Sequence, residues 1–302
     1  TGTIQSARDL SMSVLTRVTN RGDLLAGRDL TLQAASSDQT LRLEADEDSV
    51  LQAGRNLSLG STTRRILIAQ HDGAAISTSA LNVFATALSN AGYLQSNGAV
   101  DVTSTGSLSN SGSVIAGGNL SLLADTLTNS GELQSEAGMT LSASTLNNSG
   151  LINAAQGDAL QTINLTVGQL NNQANGVIQA SDSLNILTRV GVNNASDLLA
   201  FAGDLSIQTD QTTSVVQVIN SANATMVAGD TLSLGQLGAS NLSLGTQAGT
   251  LVAHTIDLNL THLNNTGAIE ADATLFVSAS DSLVNSGSLF AGSDLTVKAG
   301  AL

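Results

Sequence analysis

A short motif recurs in this chain at a fixed spacing of 19 residues. The segment LSNSG at 108–112 returns as LTNSG at 127–131 and as LNNSG at 146–150. Apolar alternations lie between the copies, LSL at 120–122 and MTL at 139–141, and these are also 19 residues apart. A fixed period of this size is typical of repeat proteins, in which each unit buries its apolar face against its neighbours. The repeat therefore constrains the fold more than any other feature of the sequence.

Apolar and polar residues alternate within each unit, which is the pattern of a half-buried β-strand. A unit of about 20 residues fits one coil of a parallel β-helix, built from two or three short strands joined by corners. Successive coils then pair as parallel strands about 4.8 Å apart. The Leu-x-(Leu/Ile/Val) motif, counted together with variants such as LSM at 10–12 and MTL at 139–141, occurs about sixteen times. This predicts an all-β solenoid of about sixteen coils, roughly 75 Å long at that spacing.

Composition agrees with this fold and argues against its rivals. Hydrophobic residues make up 41% of the chain and aromatic residues only 2%, so Leu, Ile, Val and Ala must fill a narrow core. The absence of proline suits a chain of paired strands, because proline lacks a backbone donor. A β-propeller usually has longer units with aromatic signatures, and leucine-rich repeats need a Leu-x-x-Leu-x-Leu pattern that is not sustained here. The parallel β-helix is preferred to both.

The repeat is less regular at 35–80 and 190–249, where the Asn-x-Gly part of the motif lapses. We interpret residues 1–302 as a single β-helical domain that includes both stretches. The chain begins with neither an initiator methionine nor a signal peptide. Its last residue stands where another unit would begin, so we interpret it as a fragment of a longer protein.

Charge and cysteine content exclude several classes of function. The formal net charge is −14, from 24 acidic and 10 basic residues, which argues against a nucleic-acid partner. The chain has no cysteine, so it has no disulfide framework and no Cys-ligated metal site. No run of 18 apolar residues is present, and we therefore expect no membrane-spanning helix.

Asparagines recur at the repeat period. Coiling at this period would stack them at one corner, where each side-chain amide donates to the carbonyl oxygen of the next. The glycine two residues further on indicates a corner that requires a positive φ. A polar binding stripe is the functional alternative to this structural ladder. The recurring residues are Asn20, Asn90, Asn110, Asn129, Asn148, Asn265 and Asn285.

Two groups of side chains are candidate metal ligands, and neither is persuasive. The acidic run offers oxygen ligands for a hard cation but lacks the glycine punctuation of a calcium loop, so a solvated loop is expected. The histidines do not supply three ligands at one place, and we expect them at the surface. The residues concerned are Glu44, Asp46, Glu47 and Asp48 in the acidic run, and His71, His254 and His262.

Some parallel β-helices are polysaccharide lyases or glycosidases, and this class is the alternative function. Hydrolysis of a glycoside needs two carboxylates at a set separation. The acids of the regular coils, such as Asp125, Glu132, Glu136 and Glu270, stand apart in the sequence. An active site would have to be assembled from different coils. We predict that the chain is not an enzyme and has no catalytic, cofactor-binding or metal-binding residues.

Whole units of the chain resemble those of a known family. The segments LSNSGSVIAGGNLSL at 108–122 and LVNSGSLFAGSDLTV at 283–297 closely resemble filamentous-haemagglutinin repeats. These repeats belong to large exoproteins of two-partner secretion in Gram-negative bacteria, which include adhesins and contact-dependent growth inhibition (CdiA-like) effectors. The resemblance covers most of the chain and is specific for the family, not for one member.

The resemblance implies a right-handed parallel β-helix that forms a filament segment, exported through an outer-membrane transporter. It implies a secreted or surface-displayed protein that supports adhesion or contact-dependent toxin delivery, with a cell-surface receptor or glycan as partner. We find neither a secretion domain nor a toxin domain in the sequence. Some family adhesins are glycosylated on Asn-x-Ser/Thr sequons, which makes Asn119 and Asn241 candidate acceptors.

Specific binding is expected where the coils are least uniform, because regular coils present nearly the same surface at every turn. Insertions in solenoids emerge as loops, and loops on a rigid scaffold often carry recognition. This places any receptor or glycan contact at 35–80 and 190–249, with Arg64, Arg65 and the acids at 44–48 as candidates. In the alternative, these stretches are degenerate coils that only extend the rod.

Overall fold

The computed structural model describes residues 2–46, 49–70, 73–155, 159–235 and 241–301. These residues form 32 β-strands and no helix. Accordingly, nothing in the described ranges has the length and hydropathy of a membrane-crossing helix. The chain divides into two compact units, Thr1–Ala143 and Ser144–Leu302. The single domain expected over 1–302 stays a prediction.

In the first unit, each full turn contributes one strand to each of three parallel sheets. The first sheet contains β2, β5, β8, β13 and the N-terminal halves of β11 and β16. The second contains β3, β6, β9, β14 and the C-terminal halves of β11 and β16. The third contains β1, β4, β7, β10, β12, β15 and β17. The strands of this unit are β1 (Thr3–Ser6), β2 (Leu10–Val14), β3 (Arg17–Asn20), β4 (Asp23–Ala26), β5 (Leu30–Ala34), β6 (Leu41–Ala45), β7 (Val50–Ala53), β8 (Asn56–Leu59), β9 (Ile66–Gln70), β10 (Ala74–Ser77), β11 (Ala80–Asn90), β12 (Tyr93–Ser96), β13 (Ala99–Ser104), β14 (Ser107–Asn110), β15 (Ser113–Ala116), β16 (Leu120–Asn129) and β17 (Glu132–Ser135), and β18 (Met139–Asn148) contains the division between the units.

The second unit has the same three-sheet plan. Its first sheet contains the N-terminal halves of β20 and β22, then β24, β27, the central parts of β29 and β30, and β32. The second contains the C-terminal halves of β20 and β22, then β25, β28 and the ends of β29 and β30. The third contains β19, β21, β23, β26, the starts of β29 and β30, and β31. The strands are β19 (Leu151–Ala154), β20 (Ile163–Asn172), β21 (Val177–Ala180), β22 (Leu184–Asn194), β23 (Asp197–Ala200), β24 (Leu205–Gln208), β25 (Val216–Asn220), β26 (Thr225–Ala228), β27 (Thr231–Leu234), β28 (Leu242–Gln247), β29 (Thr250–Asn265), β30 (Ala268–Asn285), β31 (Ser288–Ala291) and β32 (Asp294–Ala299).

Each unit is thus a parallel β-solenoid, as the repeat predicts. The number of turns is about fourteen and not about sixteen. The count from the sequence was too high because one turn can carry the Leu-x-Leu motif twice. In the turn that contains β5 and β6, the motif occurs in both the first-sheet and the second-sheet strand, and β27 and β28 repeat this situation.

The core consists of aliphatic side chains that point inward from all three sheets. In β5, for example, Leu30, Leu32 and Ala34 are buried while the residues between them face outward. The single Tyr and the four Phe residues all lie outside this core. Rows of Leu, Ile, Val and Ala therefore fill the interior, which confirms the expectation from the low aromatic content.

The glycines of the Asn-x-Gly corners serve a different purpose from the one predicted. Among the described residues, only Gly60 and Gly235 are glycines with a positive φ. At Gly112, in contrast, an added Cβ would lie 2.2 Å from the carbonyl oxygen of Gly92 in the preceding turn. Consecutive corners approach so closely that there is no room for a side chain. Steric contact between turns, and not backbone handedness, requires glycine here.

Candidate functional site

The predicted asparagine ladder forms in the first unit on the inner side of the second sheet. Asn90 Nδ2 donates to Asn110 Oδ1 at 2.7 Å, and Asn110 Nδ2 donates to Asn129 Oδ1 at 2.8 Å. Asn110 Nδ2 also donates to the main-chain oxygen of Gly112 at 3.1 Å, which ties the amide to its own corner. All three asparagines are buried.

The second unit contains a ladder of its own, which includes the predicted Asn148 and four residues that the prediction omitted, Asn172, Asn194, Asn220 and Gln247. Asn148, Asn172, Asn194 and Asn220 each donate to the amide oxygen of the next member at 2.9 Å, and the last acceptor is Gln247 Oε1. These rungs are 24, 22, 26 and 27 residues apart, so a search at 19 or 20 residues misses them. Further along, Asn265 donates to Asn285 at 2.7 Å. The less regular stretch 190–249 therefore keeps the interior of a regular turn.

Asn20 is an exception to the predicted ladder. In the following turn its register partner is Ala45, which has no amide to accept a hydrogen bond. Asn20 Nδ2 is buried and has no hydrogen-bond partner among the described residues. The prediction that Asn20 stacks with the other asparagines is therefore wrong, because the turn after it carries alanine at the ladder position.

Burial decides between the two interpretations of the ladder. Asn110, Asn129, Asn194 and Asn265 are between 0% and 1% exposed, so a partner at the surface cannot contact their amides. The amide nitrogens of Asn110, Asn194 and Asn265 each donate to an amide oxygen in the next turn, as buried polar groups generally require. The inner asparagines therefore stabilise the solenoid and do not form a binding stripe.

The acidic run at 44–48 takes part in ion pairs with arginines. Glu44 accepts hydrogen bonds from Arg17, in the preceding turn, and from Arg42. Asp46 pairs with Arg21 at 2.8 Å, again from the preceding turn. Glu47 and Asp48 lie outside the described residues. The described acids of this run are therefore neutralised by arginine, which does not support a cation site.

A second row of ion pairs joins successive turns at the corner before the first sheet. Arg28 Nε donates to Asp9 Oδ1 at 3.1 Å, and Arg55 Nε donates to Asp29 Oδ1 at 2.8 Å. Both pairs are exposed, so each contributes little on its own. The Arg55 guanidinium beside Asp29 nevertheless lowers the pKa of that carboxyl from 3.8 to about 2.

The Asp29 carboxyl should titrate near pH 2, because its ionised form is the one that Arg55 stabilises. A folded-state pKa below the unfolded value contributes stability that is present above about pH 4 and is lost as the pH falls through about 2. Carbon-detected NMR titration of the side chain would measure the midpoint. In Arg55→Gln the midpoint should rise toward 3.8. A midpoint that is the same in both proteins would contradict the proposed pairing.

The remaining candidates from the sequence are not brought together into one site. Arg64 and Arg65 lie in the corner between β8 and β9, where no described carboxylate pairs with them. His254 is exposed, and His262 Nε2 lies 3.4 Å from Asp281 Oδ2. His71 is outside the described residues. In the part of the chain that the structure describes, no three His, Asp or Glu side chains are grouped so that they could hold a metal ion.

The acids considered for glycoside hydrolysis occupy different positions on the turn. Asp125 is in β16 between the first and second sheets, Glu132 begins the third-sheet strand β17, and Glu136 follows that strand. Glu270 belongs to the other unit. This arrangement does not supply the facing pair of carboxylates that the reaction needs.

The outer surface of the second unit carries amide rows that sequence reasoning missed. On the second sheet, Asn171 donates to Asn147 and Asn193 donates to Asn171, both at 2.9 Å. On the first sheet, Asn185 Nδ2 donates to Asn164 Oδ1 at 3.1 Å. The signal in the sequence was the doubled asparagines at 147–148, 171–172 and 193–194, of which one points inward and the other outward.

The two sequons considered as glycosylation acceptors differ in accessibility. Asn119 is exposed, whereas Asn241 Nδ2 donates to the main-chain oxygen of Gln211 at 2.8 Å. An acceptor amide must be free to react, so this geometry favours Asn119 over Asn241. Glycosylation of either residue stays a prediction.

Comparison with known proteins identifies the repeat. A family model described as haemagglutinin repeat matches residues 1–134 and 123–162, which together span more than half of the chain. No curated protein and no solved structure matches the chain significantly.

Proposed function

We propose that this chain, which belongs to the haemagglutinin repeat family, is a filament segment of an exoprotein that is displayed on the surface of, or secreted by, a Gram-negative bacterium. The partner in export would be an outer-membrane transporter of two-partner secretion. The exposed filament would support adhesion or contact-dependent toxin delivery. The family match concerns the repeat and does not distinguish an adhesin from a growth-inhibition effector.

The observation that carries this proposal is the constancy of the interior. In the second unit, the inner amides from Asn148 to Gln247 stay in register although the turns differ in length. Each turn of a solenoid needs only its neighbours for stability, so such a chain gains length by adding turns. A constant interior with variable corners suits a filament that presents its outer surface to other molecules.

The positions of the charged groups support a non-enzymatic role. The described acids of the 44–48 run are engaged by arginines, and Asp125, Glu132 and Glu136 lie at different positions on the turn. A β-helical lyase or glycosidase would need acids or cations that converge on a groove. No observation favours that alternative, and we propose a structural and adhesive role.

Removal of whole turns from the full-length exoprotein tests this proposal. Deletion of 111–129 removes one regular turn and leaves Asn110 joined to the next corner, while deletion of 195–220 does the same after Asn194 in the less regular stretch. We expect both variants to reach the cell surface when the transporter is present and neither without it, because parallel pairing reforms between the flanking turns. Flow cytometry with antibodies to the chain would measure display.

The same two variants locate the adhesive contact. If recognition lies in the less regular stretches, deletion of 195–220 should lower cell adhesion and deletion of 111–129 should leave it unchanged. Equal adhesion by both variants and the wild type would show that neither residues 111–129 nor residues 195–220 carry the adhesive contact. Retention of the wild-type segment inside cells that contain the transporter would contradict the export proposal.

A further inference from the structure

A shallow groove crosses three successive turns on the outer face of the first sheet in the second unit, with a volume of about 130 Å³. Strands β20, β22 and β24 each contribute two outward side chains to it. One column follows the register from Asn164 to Asn185 to Ser206, and the parallel column follows it from Thr166 to Leu187 to Gln208. We name these six residues the amide groove.

Hydrogen bonds within the first column hold its polar groups in fixed orientations. Asn185 Nδ2 donates to Asn164 Oδ1 at 3.1 Å, and Ser206 Oγ donates to Asn185 Oδ1 at 2.9 Å. The Asn164 amide nitrogen and the second N–H of Asn185 have no acceptor among the described residues. The groove therefore presents donors that are oriented before any ligand arrives, which lowers the entropic cost of binding.

The chemistry of the lining indicates the class of ligand. Two asparagines, a glutamine, a serine and a threonine surround Leu187, so the groove combines donors and acceptors with one apolar contact and contains no charge. A sugar ring matches this combination, because its hydroxyls both donate and accept while its C–H face is apolar. Three strands at the usual spacing span about 10 Å, the scale of one or two sugar rings.

Electrostatics favour a neutral ligand over an anionic one. Residues 144–302 contain eleven acidic residues and two basic ones, Arg189 and Lys298. Arg189 is paired with Asp210 at 2.8 Å, and Lys298 lies over the ring of Phe276. A sialylated or sulfated glycan would meet a negative surface without an available cation.

The groove is limited to these three turns. The first column continues with Ser233 and then with Asp257, which introduces a carboxylate. In the second column, Leu187 stands between a threonine and a glutamine, so the apolar contact is central. We propose that the amide groove binds a neutral carbohydrate. This inference rests on the proposed adhesive function and names its ligand class.

Binding of neutral disaccharides by the purified 302-residue chain tests the inference. Isothermal titration would use lactose, cellobiose, mannobiose and chitobiose, with sialyllactose as the anionic counterpart of lactose. We expect at least one neutral disaccharide to bind, and sialyllactose to bind no more tightly than lactose at low salt. In Asn185→Ala the affinity for the bound disaccharide should fall about tenfold, the effect of one lost hydrogen bond. Leu187→Ser, which removes the apolar contact, should also weaken binding.

Asn193→Ala is the matched control, because Asn193 is an outward asparagine of the same strand that donates to an asparagine of the preceding turn. It should bind the disaccharide as the wild type does. The inference is overturned if no neutral disaccharide binds, if Asn185→Ala binds like Asn193→Ala, or if sialyllactose binds more tightly than lactose. Binding by the purified chain is independent of surface display. Normal adhesion without sugar binding would therefore reject the groove alone, and sugar binding without adhesion would reject the adhesive role alone.

Discussion

Replacement of Asn194 by alanine should lower the free energy of unfolding by about 1–3 kcal/mol. Asn194 Oδ1 accepts a hydrogen bond from Asn172, and its Nδ2 donates to Asn220, each at 2.9 Å. Because all three side chains are buried, alanine would leave a donor on one neighbour and an acceptor on the other without the bond they make now. Denaturant unfolding followed by circular dichroism would measure the loss.

Asn193→Ala is the control for this effect, since the two asparagines are adjacent in β22 and differ in the side of the sheet they face. The outward residue makes one exposed amide hydrogen bond, to Asn171 at 2.9 Å. Its removal should change the free energy of unfolding by less than about 0.5 kcal/mol, as surface substitutions usually do. If the two variants were equally stable, the inner ladder would not contribute to the stability of the solenoid.

The fold could be predicted because each repeat shows both the spacing of the units and the apolar–polar alternation of a β-strand. Leu120 and Leu122 alternate with polar residues, and the same alternation returns 19 residues later. Strands that recur at such a step can pair only with their counterparts in the next turn. The motif could not show which sheet a strand joins, so two turns that carry it twice, at β5–β6 and β27–β28, were each counted as two.

The ladder was predicted only where turn length is constant. Asn110 and Asn129 follow the short period, whereas Asn194 and Asn220 are separated by 26 residues. Corners absorb the extra residues, and the strands that enter the sheets return to the same register. A loop of variable length therefore hides a contact from a fixed-period search while it leaves the contact itself unchanged.

The amide groove could not be read from the sequence for the same reason. Asn164 and Asn185 are 21 residues apart, as are Asn185 and Ser206, and a search at 19 or 20 residues misses this step. Composition gives no sign of this, because asparagine and serine are frequent in every turn. The lengths of the corners determine how many residues separate two outward neighbours in the sequence. The corners are also the part of each turn where the repeat pattern is weakest.

Replacement of Gly112 by alanine should lower the free energy of unfolding by about 1–3 kcal/mol, the usual cost of overpacking. The added Cβ would lie 2.2 Å from Gly92 O and 2.6 Å from the carbonyl carbon of Ala91, and both contacts are with backbone that cannot rotate away. Because Gly112 is not among the described glycines with a positive φ, alanine can adopt its conformation. Without the steric contact, the substitution would stabilise the protein by restricting the unfolded chain.

The sign of the change therefore distinguishes the two explanations for this corner glycine. Gly118→Ala is the matched comparison in the same turn, since its added Cβ would come no closer than 3.0 Å to Gly98 C and small adjustments relieve the contact. We expect thermal and denaturant unfolding to rank Gly112→Ala well below Gly118→Ala. A Gly112→Ala protein as stable as the wild type would mean that successive turns can move apart at this corner. The close approach of the turns would then not explain why glycine recurs two residues after asparagine in this sequence.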